Sequence, residues 1–175
     1  MQASFATTDE LIDLLRFILE DISLRFDKWE NQYVRGPSLY FVLTGGVQFG
    51  AYADQLGDNQ WPTDIAEVIT RDLSPVIAAA EDIAFDADGA VMVTADGTLQ
   101  RRMVRIRPSD GVDIRALEYP DWMSAKHLSA LEVSANDEVI AAVTLSEENG
   151  RVTVFEDGTF DDYERSELGG RWRIE

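Results

Sequence analysis

Three short blocks of this chain contain most of the side chains whose types could do chemistry. They are Asp88-Gly89-Ala90, the run from Ser124 to Ala130, and the run from Ser146 to Gly150. A carboxylate such as that of Asp88 can polarise a hydroxyl group or hold a divalent cation. A glycine beside it lets the backbone approach a ligand closely. The second block contains Lys126 and His127, which is the only histidine of the chain.

Each block also has a plain structural interpretation. Asp-Gly is a common turn, and this chain has four of them. A lone histidine at the start of a helix is most often a cap or a satisfied surface group. Ser146-Glu147-Glu148 would be the tip of a hairpin on an acidic protein. The functional hypothesis therefore depends on the three blocks occurring together, in this order and at this spacing.

Taken together, the blocks resemble the diadenylate cyclase (DAC) domain family, which joins two ATP molecules into cyclic di-AMP. That family reads Asp-Gly-Ala, then Gly-Thr-Arg-His-Arg-Ala-Ala, then Ser-Glu-Glu-Thr-Gly. The resemblance implies that Asp88 acts on the attacking hydroxyl and that His127 is the second catalytic residue. It also implies that Asp88 and Glu147 hold Mg²⁺ or Mn²⁺. The nucleotide-binding residues that it implies are Gly89, Ala90, Ser124, Ala125, Lys126, Leu128, Ser146 and Glu147.

The second block departs from the family pattern. Lys126 replaces the first arginine, which keeps the charge but loses the bidentate grip on phosphate. Leu128 replaces the second arginine and removes its charge. Ala125 replaces the threonine, whose hydroxyl Ser124 could supply. Three hypotheses stay open: a diverged diadenylate cyclase, a degenerate module that binds ATP or cyclic di-AMP or regulates an active cyclase, and a structural protein with a chance match.

The resemblance also implies a partner. Each family domain binds one ATP, and the hydroxyl of one nucleotide must meet the α-phosphate of the other. We therefore expect a homodimer or association with another DAC protein. Within one chain, we expect Asp88, His127 and Ser146 to line one concave surface, because a shared nucleotide site demands it.

Four arginines lie within seven positions, at Arg101, Arg102, Arg105 and Arg107. Strand alternation would put Arg101, Arg105 and Arg107 on one face of a strand. They could face a triphosphate and replace the missing arginines. Ion pairing across a solvated face of the sheet is the favoured interpretation.

The charge of the chain indicates its setting. It has 33 acidic and 15 basic residues, a net charge of −18, and only two lysines. Such a composition resembles that of proteins from salt-in halophiles, and it offers no broad basic face to nucleic acid. The absence of cysteine excludes disulfides and thiolate zinc sites. No apolar run approaches the roughly 20 residues that span a bilayer. We therefore predict a cytoplasmic protein with no membrane or nucleic-acid partner.

Hydrophobic spacing and turn residues predict the elements that must position the three blocks. The predicted helices run from Thr7 to Phe26, from Pro62 to Leu73, from Ser74 to Ala80 and from Met123 to Ser134. The predicted strands are Leu39–Leu43, Ala90–Thr94, Leu99–Ile106, Val139–Leu145 and Val152–Phe155.

The almost wholly apolar strand Val139–Leu145 predicts a sheet that is covered on both faces. The expected fold is therefore α/β, a single domain with a twisted mixed β-sheet flanked by helices on both faces, as the DAC resemblance also implies. We expect an N-terminal helical segment over residues 1–34, a DAC-like nucleotide-binding domain over 35–160, and a peripheral tail over 161–175.

The charge predicts that folding depends on salt. In dilute buffer the net charge of −18 repels itself, whereas at molar salt the Debye length falls to about 3 Å and most of that repulsion is screened. We expect a cooperative thermal transition in molar KCl and loss of structure in dilute buffer, as measured by circular dichroism. An unchanged melting temperature across that range would contradict the halophile hypothesis.

Overall fold

The computed structural model describes residues 8–45, 50, 52–55, 66–68, 72–86, 89–107 and 113–169. The helices are α1 (Thr8–Arg25), α2 (Ser74–Asp86) and α3 (Ala125–Ser134). The strands are β1 (Leu39–Thr44), β2 (Ala53–Gln55), β3 (Ala66–Val68), β4 (Ala90–Thr94), β5 (Thr98–Ile106), β6 (Val139–Leu145), β7 (Val152–Glu156) and β8 (Thr159–Tyr163). Short 3₁₀ turns cover Ile114–Ala116 and Arg165–Glu167.

The strands form one mixed sheet in the order β2-β5-β4-β1-β6-β7-β8, and β3 also pairs with β5. β1 runs parallel to β4 and antiparallel to β6. The other strand pairs are antiparallel. Two parallel strands need a crossover connection, and α2 lies within the one that joins β1 to β4. The predicted α/β fold with a mixed sheet is confirmed.

Helices cover both faces of this sheet, because the side chains of β1 alternate between two hydrophobic cores. Leu39, Phe41 and Leu43 point into the first core, which they share with α1 and α2. Tyr40 and Val42 point into the second core, which they share with α3. Four of these five side chains are less than 3% exposed and Tyr40 is 5% exposed, so β1 is buried from both sides. The prediction of a sheet covered on both faces is therefore confirmed.

The two hairpins predicted from turn residues are present. β4 and β5 pair across the Asp96-Gly97 turn, where the Asp96 carboxylate accepts a hydrogen bond from the backbone N–H of Thr98 at 3.1 Å. β6 and β7 pair across the Asn149-Gly150 turn. In both cases a short turn with a positive-φ glycine lets the chain reverse direction directly.

One predicted helix is wrong where the structure describes it. Residues 66–68 lie inside the helix expected from Pro62 to Leu73, but they form β3, in which Ala66 pairs with Gln100 and Val68 with Thr98. Of the other apolar positions that predicted this helix, Ile65 and Ile69 lie outside the described residues, and Leu73 lies just before α2 without helical structure. Pairing with the open side of β5 outweighs the helical spacing of the apolar residues, since tertiary context overrides weak local propensity.

Helix α1 near the start of the described chain and the residues from β8 onward near its end pack together at the first core. The guanidinium of Arg16 in α1 pairs with Glu20 at 3.1 Å and lies over the ring of Tyr163 in β8, 3.6 Å from its centroid. Leu168 is also buried in this core. The expected tail boundary between residues 160 and 161 falls inside β8. In the described ranges, no helix is both long and apolar enough to cross a bilayer.

The turn between β6 and β7 is held against α1 by close packing. The Ser23 hydroxyl donates to the Gly150 carbonyl at 2.7 Å, and the Trp29 indole N–H donates to the Ser23 carbonyl at 2.9 Å. Gly150 has a φ of +72°, and a Cβ built there would lie 2.6 Å from Ser23 Oγ and 2.9 Å from the Trp29 ring. This position of the third block therefore requires glycine.

Gly150→Ala should lower the free energy of unfolding by at least about 1–2 kcal/mol, the cost of a left-handed conformation for a residue with a Cβ. Denaturant unfolding in molar KCl measures this loss. Gly45→Ala is the matched control, because a Cβ there meets nothing within 4 Å. Equal stability of the two variants would show that the packing of Ser23 and Trp29 does not constrain the turn.

Candidate functional site

A cavity of about 460 Å³ opens between the second-core face of the sheet and the first turns of α3. We call it the α3 cavity. Its volume is within the range of small-molecule pockets, about 300–1,000 Å³. The described residues that line it are Tyr40, Gly89, Ala90, Val104, Arg105, Ile106, Ala125, Lys126 and Ser129.

Strand register brings the first and second blocks together at this cavity. β1 and β4 start at the same edge of the sheet, since they are parallel with Phe41 opposite Val91. Ala90 at the start of β4 lies opposite Val104 near the end of β5. The first residues of α3, Ala125 and Lys126, face these strand ends across the cavity. The partial positive charge of a helix N-terminus is therefore directed toward this edge.

The first block contributes its glycine and alanine to the cavity wall. Gly89 has a φ of 150°, a conformation that side-chain-bearing residues rarely adopt, and Ala90 begins β4. Asp88, the expected catalytic carboxylate, lies outside the described residues, directly before Gly89 in the sequence. The expected nucleotide-binding residues Gly89 and Ala90 thus line the same cavity as the second block.

Lys126 connects the second block to Leu145, the residue that precedes the third block. Its ammonium donates to Ser38 Oγ at 2.6 Å and to the Leu145 carbonyl at 2.8 Å. Leu145 ends β6 and directly precedes Ser146. One cation therefore joins the start of α3, the segment before β1 and the end of β6. Sequence reasoning missed Ser38, which carries no motif of its own.

His127 lies on the other side of α3 from the cavity lining. Its ring is 3% exposed and packs against Trp122 and Phe155, with centroids 5.1 and 6.5 Å away. His127 Nδ1 accepts a hydrogen bond from the Ser124 backbone N–H at 3.2 Å and lies 2.8 Å from Ser124 Oγ. The two residues thereby form a capping box at the start of α3. The structure thus places the expected catalytic imidazole, and the Ser124 hydroxyl with it, in a capping arrangement.

The environment of His127 keeps its imidazole neutral. Burial, followed by the charges of Lys126 and Arg151, lowers the pKa of His127 to about 4. Nε2 is buried and has no hydrogen-bond partner among the described residues. Leu128, the next residue, packs against the second core, so its apolar side chain takes part in folding where the family has an arginine. Neither His127 nor Leu128 is among the described lining residues.

The third block forms a closed turn beside the cavity. Ser146 is 6% exposed, its N–H donates to the Arg151 carbonyl at 2.9 Å, and its carbonyl accepts from Gly150 N–H at 3.0 Å. The carboxylate of Glu147 pairs with Arg35. Neither Ser146 nor Glu147 is among the described residues that line the cavity, although Lys126 reaches the neighbouring Leu145.

The Mg²⁺ or Mn²⁺ site that the resemblance implies stays a prediction, since only one of its two expected ligands lies in the described ranges. Among the described residues, no three His, Asp or Glu side chains come together as metal ligands would. Glu147, one expected ligand, is already paired with Arg35, and a cation would have to compete with that ion pair. Asp88, the other expected ligand, is outside the described ranges.

Arg105 of the arginine-rich strand β5 is among the residues that line the cavity. Val104 and Ile106 face the second core, so strand alternation directs the Arg105 side chain to the opposite face of the sheet. On that opposite face Asp54 is the register partner of Arg105 and pairs with Arg107 at 3.2 Å. This ion pair agrees with the favoured interpretation of the cluster. The side chains of Arg101 and Arg102 lie outside the description.

Two hydroxyl groups in the cavity wall were not expected from the sequence. Tyr40 Oη lies 3.2 Å from Ser129 Oγ, and both residues line the cavity. Burial raises the pKa of Tyr40, so its phenol stays protonated and can donate a hydrogen bond. Tyr40 is hidden in an apolar strand. Ser129 lies four residues after Ala125, a helical spacing that could have identified it.

Comparison with known proteins gives a fold but no family. No protein-family model and no curated protein matches this chain. The hypothetical membrane spanning protein from Bacillus cereus is structurally similar over 90% of this chain, with a TM-score of 0.53 and 16% identity. This chain spans 64% of that protein's length. A double mutant of the diadenylate cyclase DacA from Staphylococcus aureus has a TM-score of 0.48 and 15% identity, with 91% of this chain and 90% of that one covered.

The imidazole of His127 should remain neutral at pH values well below the usual histidine pKa of about 6.5. The pKa of His127 is near 4 in the folded chain and about 6.5 in an unfolded one. Between these values the unfolded state binds the extra proton, so this group lowers stability as the pH falls from about 6.5 to 4. NMR titration of the folded chain should show no imidazole protonation above about pH 5. The urea-unfolded chain should titrate near 6.5, and a folded-state midpoint near 6.5 would contradict the buried placement.

Proposed function

We propose that this chain is a nucleotide-binding domain that holds ATP or cyclic di-AMP in the α3 cavity. The observation that carries the proposal is the meeting of Gly89–Ala90 with Ala125–Lys126 across one cavity of about 460 Å³. These are the blocks by which the sequence resembles a nucleotidyltransferase family. The similar solved structures contribute only the fold to this argument.

The chemistry of the cavity suits a nucleotide. Ala90, Val104 and Ile106 give it an apolar wall, which a flat heteroaromatic base can contact. The N-terminus of α3 and the ammonium of Lys126 supply positive charge, which favours phosphate. In a chain with a net charge of −18, a cavity of this polarity is suited to bind an anion.

Of the hypotheses that the sequence leaves open, this geometry supports binding better than catalysis. The imidazole of His127 is turned into the second core, and Leu128 packs there as well. Two of the positions from which a cyclase would direct polar groups at a triphosphate therefore contribute to packing in the fold.

Diadenylate cyclase activity is the second candidate, and the position of Gly89 favours it. Gly89 lines the cavity, and Asp88 is its neighbour in the sequence. In that reaction the 3′-hydroxyl of one ATP attacks the α-phosphate of the other and pyrophosphate leaves, once for each of the two new bonds. The carboxylate of Asp88 would polarise the attacking hydroxyl. Two cavities from two chains, or from this chain and another DAC protein, would have to face each other.

Filling the cavity should weaken nucleotide binding without unfolding the chain. Ala125 is exposed in the first turn of α3 and lines the cavity, so Ala125→Trp should weaken ATP binding at least about tenfold. Calorimetry at the lowest KCl concentration that maintains the folded circular dichroism spectrum measures this. Ala78→Trp is the matched control, because Ala78 is an exposed residue of α2, on the other face of the sheet.

The same samples separate the two candidates. Incubation with ATP and Mn²⁺ at molar KCl, followed by mass spectrometry, detects cyclic di-AMP. Binding without product supports the binding module, and product that disappears in Ala125→Trp but not in Ala78→Trp supports the cyclase. If neither ATP nor cyclic di-AMP binds the unmodified chain, the proposed function is overturned.

A further inference from the structure

The hydroxyl pair formed by Tyr40 and Ser129 provides polar groups in an otherwise apolar part of the cavity. Tyr40 is 5% exposed and belongs to β1, whereas Ser129 projects from α3. Their oxygens lie 3.2 Å apart, so one hydroxyl donates to the other. The nearby lining residues Ala90, Val104 and Ile106 have no polar side-chain atom. A ligand in this part of the cavity therefore meets two hydroxyls and aliphatic groups.

A hydroxyl pair joined by one hydrogen bond still has one O–H group and several oxygen lone pairs to offer. It can therefore donate to one ligand atom and accept from its neighbour. A purine base that bears an amino group next to a ring nitrogen, as adenine does, presents the complementary acceptor and donor side by side. Aliphatic walls beside the pair would contact the faces of such a base.

The position of the pair along α3 separates it from the positive end of the cavity. Ser129 lies four residues after Ala125, which is about one helical turn of 5.4 Å. Lys126 and the helix N-terminus therefore mark the end suited to phosphate, and the hydroxyl pair marks the end suited to a base. This polarity matches the two ends of one nucleotide.

We propose that Tyr40 and Ser129 read the amino-bearing edge of the purine base and so determine the base specificity of the α3 cavity. This inference rests on the proposed function, because it assigns a role within the same cavity. A purely structural pair is the alternative. It would stabilise the contact between β1 and α3 and would treat all bases alike.

Removal of the amino group from the ligand distinguishes these alternatives. Purine riboside 5′-triphosphate lacks the 6-amino group of ATP and is otherwise the same molecule. The unmodified chain should bind ATP at least about tenfold more tightly than this analogue, because a site built to hydrogen-bond a group rejects the ligand that lacks it. In Ser129→Ala and in Tyr40→Phe the preference should fall below about twofold.

Tyr52→Phe is the matched control. Tyr52 is another buried tyrosine of the second core, its hydroxyl donates to Thr44 Oγ1 at 3.0 Å, and it is not among the described residues that line the cavity. It should retain the tenfold preference even if the variant is less stable. Calorimetry on folded samples in KCl gives all four ratios, and a ratio does not depend on a general loss of affinity.

The outcomes separate this inference from the proposal on which it rests. If ATP binds but both variants retain the preference of the unmodified chain, or the unmodified chain has no preference, the role of Tyr40 and Ser129 is overturned and nucleotide binding stands. Loss of the preference in Tyr52→Phe as well would also overturn it. If neither of these triphosphates nor cyclic di-AMP binds the unmodified chain, both proposals fall together.

Discussion

Strand β1 is the constraint on which the rest of this structure depends. It has a parallel neighbour, β4, on one side and an antiparallel neighbour, β6, on the other. Its side chains divide between two cores, so neither helical layer can form its packing without it. The parallel pairing also places the starts of β1 and β4 at one edge, and the cavity opens at that edge.

The side chains of the second block make contacts that stabilise the fold. Lys126 bonds Ser38 and the Leu145 carbonyl, His127 caps its own helix, and Leu128 packs against the second core. A partly buried cation that loses its partners is destabilising, so these contacts hold the block in place. Lys126 and Leu128, the positions where the sequence departs from the pattern it resembles, both attach α3 to the sheet.

Sequence patterns were enough to predict the elements whose signal lies within one short stretch of chain. The amphipathic spacing of α1, the apolar run of β6 and the Asp-Gly and Asn-Gly hairpins were all visible in the sequence. The strand β3 was not visible in the sequence, because its three residues pair with residues of β5 that lie thirty or more positions away. Among the residues that line the α3 cavity, the spacing of the blocks singled out Gly89, Ala90, Ala125 and Lys126. The spacing could not predict where the His127 side chain points, because the side of a helix that faces the sheet is known only once the helix is packed against it.

The unequal distribution of helices has a consequence for access to the cavity. The first core is shared by two helices, whereas α3 alone covers the second-core side among the described helices. Lifting α3 would expose the cavity wall on β1, β4 and β5 and leave the α1–α2 layer packed. Such a local opening is, in other proteins, far less costly than global unfolding. Amide hydrogens of α3 would exchange with solvent through that local opening, whereas those of α1 and α2 would exchange only on global unfolding.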